Sequence, residues 1–175
     1  MKPVLVSALL LSALVATPVL AQTVRGAAGP ADPVALTPDT SISMTQAIAA
    51  AQAAVDACAK LPKNPPIVVS VFDLNGNAKV QLAADGYNNG GFEYARKKAY
   101  TVLKSGISSG EFGKLPDVAA TGRGAAIRGD VNLIQYAGAL PITRGGKVIG
   151  TISVSGPTGQ VDDETCARAG LALIK

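Results

Sequence analysis

The C-terminal stretch, residues 138–175, constrains the fold of this chain more than any other part of its sequence. Leu140–Thr143 and Val148–Val154 have the apolar character of β-strands, and Gly145-Gly146 between them can adopt the positive φ of a tight hairpin turn. Asp162-Asp163-Glu164 then favours the start of a helix, because carboxylates complement unpaired N–H groups and the helix dipole. A hairpin followed directly by a helix predicts an antiparallel sheet with helices packed on it.

The remaining elements agree with an antiparallel α+β fold. Ser43 and Gln46 have the spacing of a capping box, which predicts a helix from there to about Lys60. The Asn75-Gly76 pair is typical of a hairpin turn. The predicted order is α-β-β-α-β-β-β-α with a five-stranded sheet, whose other elements are strands Ile67–Phe72, Ala78–Ala83 and Asn132–Tyr136, a helix Phe92–Ser105 and a short helical turn Ser109–Leu115.

The N-terminus has the pattern of an export signal. Residues 1–21 combine Lys2, an apolar run over Val4–Ala16 and small residues before a cut after Ala21. That run is shorter than the roughly 20 residues of a membrane-spanning helix. We therefore predict a signal peptide over 1–21, a flexible lead-in over 22–40 and one domain over 41–175, in a protein that is periplasmic or secreted and not inserted in the membrane.

The two cysteines, Cys58 and Cys166, predict one disulfide, because an even cysteine count in an oxidising compartment favours pairing. The alternative is that both are buried thiols that act as small hydrophobic residues. Each lies on the apolar stripe of a predicted helix; the stripes are Met44, Ile48, Ala51, Val55 and Cys58 on the first helix, and Cys166, Ala169 and Leu173 on the last.

Composition excludes several kinds of site. The chain contains no histidine, which removes Ser-His-Asp and Cys-His catalysis, histidine-based zinc sites and ligation of haem by a proximal histidine. The formal net charge of +4 is modest, and no basic motif with interleaved aromatic residues predicts a nucleic-acid partner. No catalytic residue and no protein-only metal site is predicted, so the sequence favours binding over catalysis.

Four segments together resemble the GlcG/HbpS-like family, also called the haem-degrading domain family. They are Val69–Asn77, Ala84–Gly86, Ala95–Thr101 and the block from Pro141 to Leu171. The resemblance implies a five-stranded antiparallel, profilin-like sheet between helices, assembly into homo-oligomers, and a link to haem or another tetrapyrrole. Over Asp117–Val131 the chain departs from the family pattern, so no loop residue is carried over there.

Candidate cofactor-binding residues are tyrosines and basic residues. A tyrosinate oxygen can bind ferric haem, and Tyr94 and Tyr136 are the candidates; the alternative is that each ring covers the edge of the core. Arg123 and Arg128 lie in a Gly-rich stretch where their charges could meet haem propionates, or remain solvated. Lys98 lies on the flank of its helix beside Tyr94, where it either extends to solvent or reaches an anionic ligand.

These observations predict an exported, oligomeric, non-catalytic protein that binds haem or a related tetrapyrrole, with iron held weakly by an oxygen ligand or not at all. Two alternatives remain open. The domain could be an oligomeric assembly module without a small ligand. It could also bind or act on a small organic acid whose carboxylate meets Lys98.

Overall fold

The computed structural model describes residues 37, 39–62, 64–87, 90–122, 124–156 and 159–174. The predicted signal peptide and most of the lead-in therefore lie outside the described residues. The elements are α1 (Met44–Ala59), β1 (Val68–Asp73), β2 (Ala78–Ala83), α2 (Gly91–Ser105), α3 (Ser109–Gly113), α4 (Pro116–Ala119), β3 (Ala139–Arg144), β4 (Lys147–Ser155) and α5 (Gln160–Leu171).

The strands form an antiparallel sheet in the order β2-β1-β4-β3. Both predicted hairpins are confirmed. Gly145 and Gly146 turn the β3–β4 hairpin with φ of 55° and 75°. In the β1–β2 hairpin, one carboxylate oxygen of Asp73 accepts the backbone N–H groups of Asn75 and Asn77 at 2.9 and 3.0 Å, which holds the turn closed.

The prediction of a fifth strand over Asn132–Tyr136 is wrong: the sheet described here has four strands, and this segment is not one of them. Its backbone bonds to a helix instead. The N–H of Ile134 donates to the Thr101 hydroxyl of α2 at 3.0 Å. Strand-like residues do not reveal whether a neighbouring strand is available, and here a side chain of α2 satisfies the backbone N–H of Ile134.

Helices α1 and α5 pack together on one face of the sheet, over alternate residues of β1 and β4. They approach closely, because a Cβ on Gly170 would lie 2.4 Å from the carbonyl oxygen of Ala50. The predicted disulfide is confirmed between Cys58 and Cys166, whose Cα atoms are 5.4 Å apart. This packing uses small side chains, so the predicted stripes are partly wrong: Met44, Ile48 and Leu173 are about half exposed, at 50%, 52% and 55%.

Helix α2 packs on the opposite face, against β1, β3 and β4. Beyond it, α3 and α4 build a small second core around Phe112, Val118 and Ile127. This second core anchors the chain between α4 and β3, which forms one side of the candidate site. Within the described ranges, no helix is both long and apolar enough to span a bilayer.

Candidate functional site

A cavity of about 610 Å³ opens between α2 and the segment that leads into β3. We call residues 124–136 the wall segment, because they form the side of the cavity facing α2. The floor is made by the end of β4 and the start of α5. The residues that line the cavity are Gly90, Glu93, Tyr94, Lys97 and Lys98 from α2 and its N-cap; Gly122; Gly124, Ala125, Ile127, Val131, Leu133, Ile134, Gln135 and Tyr136 from the wall segment; and Ser155, Gly156, Gly159 and Asp163 from the floor.

Polar contacts from α2 fix the wall segment in place. The Tyr100 hydroxyl donates to Asp130 at 2.7 Å. Arg96 donates to the side-chain oxygen of Asn132 at 3.2 Å, and Thr101 bonds the backbone of Ile134. Three side chains on two successive turns of α2 therefore position the wall, so the cavity is a preformed feature of the fold and not a gap beneath a loose loop.

The floor of the cavity contains a buried ion pair. Lys98 Nζ of α2 lies 2.7 Å from Asp163 Oδ2 of α5 and donates a second hydrogen bond to the carbonyl oxygen of Val154 at 2.9 Å. Only 3% and 4% of the two side chains is exposed. The other carboxylate oxygen, Asp163 Oδ1, has no hydrogen-bond partner in the described part of the chain. Buried polar atoms are nearly always hydrogen-bonded, so this oxygen is an exception that requires an explanation.

Gly138 makes room for this pair. It has a φ of 129°, and a Cβ at this position would lie 2.7 Å from Lys98 Nζ and 2.6 Å from the carbonyl oxygen of Val154. Any other residue would therefore strain the backbone and push the ammonium group away from its partners.

Burial dominates the titration of both partners. It raises the pKa of Asp163 from 3.8 to about 6, although the ammonium group of Lys98 acts in the opposite direction. Burial likewise lowers the pKa of Lys98, against the attraction of the Asp163 carboxylate. A cavity-lining carboxyl group that can take up a proton close to neutral pH is typical of functional sites.

The two candidate tyrosines meet at the cavity. Tyr94 from α2 and Tyr136 from the wall segment have ring centroids 6.2 Å apart with planes tilted by 39°. Tyr94 is about half exposed, and the neighbouring lining residue Val131 is more exposed still. An apolar, partly open surface of this kind is typical of a ligand-binding groove.

The candidate arginines do not join this group within the described residues. Arg128 pairs with Asp117 at 2.7 Å, and its guanidinium lies 5.4 Å from the centre of the Phe112 ring, outside the cavity lining. Arg123 lies outside the described residues. Lys97 is the basic residue that sequence reasoning missed: it lines the cavity beside Lys98 and lies 4.0 Å from Glu93. Its i,i+4 spacing to Glu93 is that of an exposed helix pair and gives no signal of a cavity.

The partner of Lys98 was also missed. Asp163 was assigned to the start of α5, where it does lie in the first turn, but its side chain reaches across the end of the sheet to α2. No local pattern connects two residues 65 positions apart. Among the described residues, no group of three or more Cys, Asp or Glu side chains could hold a metal ion.

Several known proteins are similar to this chain in sequence or in fold. The chain is 32% identical to a double mutant of HbpS from Streptomyces reticuli, with a TM-score of 0.69, covering 84% of this chain and 99% of that structure. The PduOC:haem complex has the same fold at 24% identity, with a TM-score of 0.67, covering 77% of this chain and 96% of that one. A curated relative is an uncharacterized 15.0 kDa protein from the dhaT-dhaS intergenic region of Citrobacter freundii, 29% identical over 57% of this chain and 70% of its own length.

The family model described as haem degrading protein HbpS-like matches residues 42–172. This range begins just before α1 and ends just after α5, and it includes both sides and the floor of the cavity. The chain belongs to the HbpS-like haem-degrading protein family.

Proposed function

We propose that this protein binds haem or a related tetrapyrrole in the cavity between α2 and the wall segment, without catalysing a reaction on it. Iron would be held weakly by a tyrosine oxygen or not held by the protein at all. The observation that carries this proposal is the Tyr94–Tyr136 pair beside an aliphatic surface in a member of a haem-linked family.

The lining residues suit a flat, largely apolar macrocycle. Aromatic rings provide large contact area at low entropic cost, and here they stand next to the aliphatic side chains Ile127, Val131 and Leu133. The cavity volume lies within the range of small-molecule and cofactor sites. Lys97 supplies a cation at the same cavity for an anionic substituent such as a propionate.

The family supports the same ligand class. Its model carries the description haem degrading, and a structure of the same fold, PduOC, is a haem complex. Because this chain has no histidine, ligation by a proximal histidine is excluded, and phenol oxygens are provided at the cavity by Tyr94 and Tyr136.

Haemin titration followed in the Soret region tests this proposal. We expect a saturable difference spectrum in the wild-type protein, and binding weakened at least tenfold when Tyr94→Ala and Tyr136→Ala are combined, because the ring contacts are lost. Tyr87→Phe is the matched control, since Tyr87 packs against Phe92 and does not line the cavity. A spectrum that does not change on haemin addition would refute the proposal.

Phenylalanine variants separate ring contact from iron ligation. Tyr94→Phe and Tyr136→Phe keep the rings and remove the oxygens. If a phenolate binds iron, one of these variants retains haemin but shifts its absorption bands. If the bands shift in neither variant, the iron has no tyrosine ligand.

Export and self-association are part of the same proposal. The disulfide between Cys58 and Cys166 is of a kind that persists in oxidising compartments, which supports a periplasmic or secreted protein with a signal peptide over residues 1–21. The exposed Met44 and Ile48 side chains on α1 provide apolar surface for a second copy. The N-terminal sequence of the mature protein and its mass in solution test these two points; an uncleaved chain or a strict monomer would contradict them.

A further inference from the structure

The cavity floor has a buried acceptor, on Asp163, that makes no hydrogen bond of full geometry with the described residues, although the nearby backbone N–H of Gly156 lowers the pKa of this carboxyl group. Asp163 Oδ1 is buried without a hydrogen-bond partner among the described residues, while Asp163 Oδ2 is held by Lys98. The Lys98 ammonium group makes two hydrogen bonds within the described chain, to Asp163 and Val154. An ammonium group has three N–H donors, so one donor is left for a ligand. A ligand group that reached the floor could therefore meet both an unfilled acceptor and an unfilled donor.

Resting on the function proposed above, we propose that this floor is a subsite for one carboxyl group of the ligand, which Asp163 Oδ1 binds through a shared proton while Lys98 balances the remaining negative charge. For a tetrapyrrole, the group is one of its carboxyl-bearing side chains. The ligand would then be oriented with one acid group buried and its ring against Tyr94 and Tyr136.

The charges at the floor favour a carboxyl group over a cationic donor. A cationic ligand group would be repelled by Lys98 and by the positive end of the α5 dipole, whose N-cap, Gly159, has no side chain to cap the helix. Two carboxylates in contact cannot both be ionised, so one proton is retained between them. The pair then carries one negative charge, and the single ammonium group of Lys98 neutralises it.

The surroundings of Asp163 set the pH range of this binding. The ionisable groups that accompany it at the floor or line the cavity are Lys98, Lys97, Glu93 and Tyr94 from α2, Tyr136 from the wall segment and Asp162 on its own helix; the β4 end contributes only Ser155 and Gly156. Burial raises the pKa of Asp163 to about 6. Above that pH the ligand must bring a proton with it, so the affinity for a carboxylate falls as pH rises.

The experiment compares protoporphyrin IX with its dimethyl ester, which has no ionisable carboxyl group, by fluorescence titration of the wild-type protein between pH 6 and pH 8. We expect the affinity for the free acid to fall as pH rises above 6, with a slope that approaches tenfold per pH unit, the limit for one bound proton. The ester should bind more weakly at pH 6 and show no such slope. Equal affinities and equal slopes for the two porphyrins would overturn the subsite.

Asp163→Asn provides a second test. The amide places a permanent N–H donor where the shared proton would lie, so we expect the free acid to bind with less than a twofold change across the same pH range. Asp162→Asn, the neighbouring position on the same helix, should keep the wild-type slope. A slope that survives in Asp163→Asn would overturn the proposal, and the ester comparison does not depend on this variant folding.

Failure of the proposed function is distinguishable from failure of the subsite. If neither porphyrin binds at any pH, the tetrapyrrole function is wrong, and sodium propionate alone then decides the subsite. Propionate should raise the melting temperature of the wild-type protein more at pH 6 than at pH 8, and this difference should disappear in Asp163→Asn. No effect of propionate at either pH would overturn the subsite as well.

Discussion

Two ion pairs in this protein have the same contact distance and different environments. Lys98–Asp163 and Arg128–Asp117 both bring a nitrogen to 2.7 Å from a carboxylate oxygen. The first pair is 3% and 4% exposed and joins α2 to α5 at the cavity floor; the second is 51% and 55% exposed and joins α4 to the wall segment.

The comparison shows that environment, and not distance, decides what an ion pair does. In the exposed pair, the hydrogen bond from Arg128 lowers the pKa of Asp117, as expected for a solvated carboxylate beside a cation. In the buried pair, desolvation outweighs Lys98, and the pKa of Asp163 rises. The buried pair therefore holds its charges at a cost, which is a reason to look for its role in ligand binding.

The largest effect should come from removing one partner of the buried pair. Asp163→Ala leaves the Lys98 ammonium group buried without its counter-ion, which typically costs about 3–5 kcal/mol. We expect a loss of this size in the free energy of unfolding, measured by urea denaturation near pH 7.5.

The control is the double variant Lys98→Met/Asp163→Leu. Because it removes both charges and keeps apolar volume, we expect it to recover most of the stability that Asp163→Ala loses. A double variant as unstable as the single one would mean that shape, and not the uncompensated charge, is what Asp163 contributes.

A smaller change in the free energy of unfolding should accompany a change of pH. Since the folded protein keeps a proton on Asp163 between about pH 4 and pH 6 that the unfolded chain has lost, the stability contributed by this group is full below about pH 4 and is lost as pH rises through 6. One pKa unit corresponds to about 1.4 kcal/mol, so this loss is at most about 3 kcal/mol. Burial lowers the pKa of Lys98, against the attraction of the Asp163 carboxylate.

The measurement is the difference in unfolding free energy between the wild-type protein and Asp163→Asn across that pH range. Other carboxyl groups, such as Asp117 and Glu93 with lowered pKa values, titrate in both proteins and cancel in the difference. The difference should decrease as pH rises from 4 to 6. A constant difference would show that the Asp163 carboxyl group is not shifted by burial.

Local rules explain which parts of this fold were predictable from sequence. The capping box of Ser43 and Gln46 forms at the start of α1, and the Gly145-Gly146 turn closes its hairpin, because both depend on residues within four positions of each other. The disulfide was also predictable, since two cysteines leave one pairing and the predicted export signal favoured an oxidising compartment.

The features that were not predictable depend on contacts between residues distant in sequence. The segment Asn132–Tyr136 has strand-like residues, yet the N–H of Ile134 in its middle donates to Thr101 of α2, and only the folded chain shows that competition. Lys98 was a candidate from its place on a helix flank, but its partner lies on another helix. Tyr94 and Tyr136 were candidates as phenols, and no sequence pattern indicated that their rings meet.

The smallest effect should come from the exposed pair. Asp117→Asn removes the charge that holds Arg128 and keeps the size of the side chain. Because exposed ion pairs contribute little and are screened by salt, we expect no resolvable change in the urea midpoint at moderate salt, and porphyrin affinity equal to that of the wild-type protein. Arg128 still has the Phe112 ring beneath it, so the wall segment keeps its anchor. A loss of stability comparable to that of Asp163→Ala would show that exposure does not separate the two pairs, and the distinction between them would then have to be sought in how each one anchors the cavity.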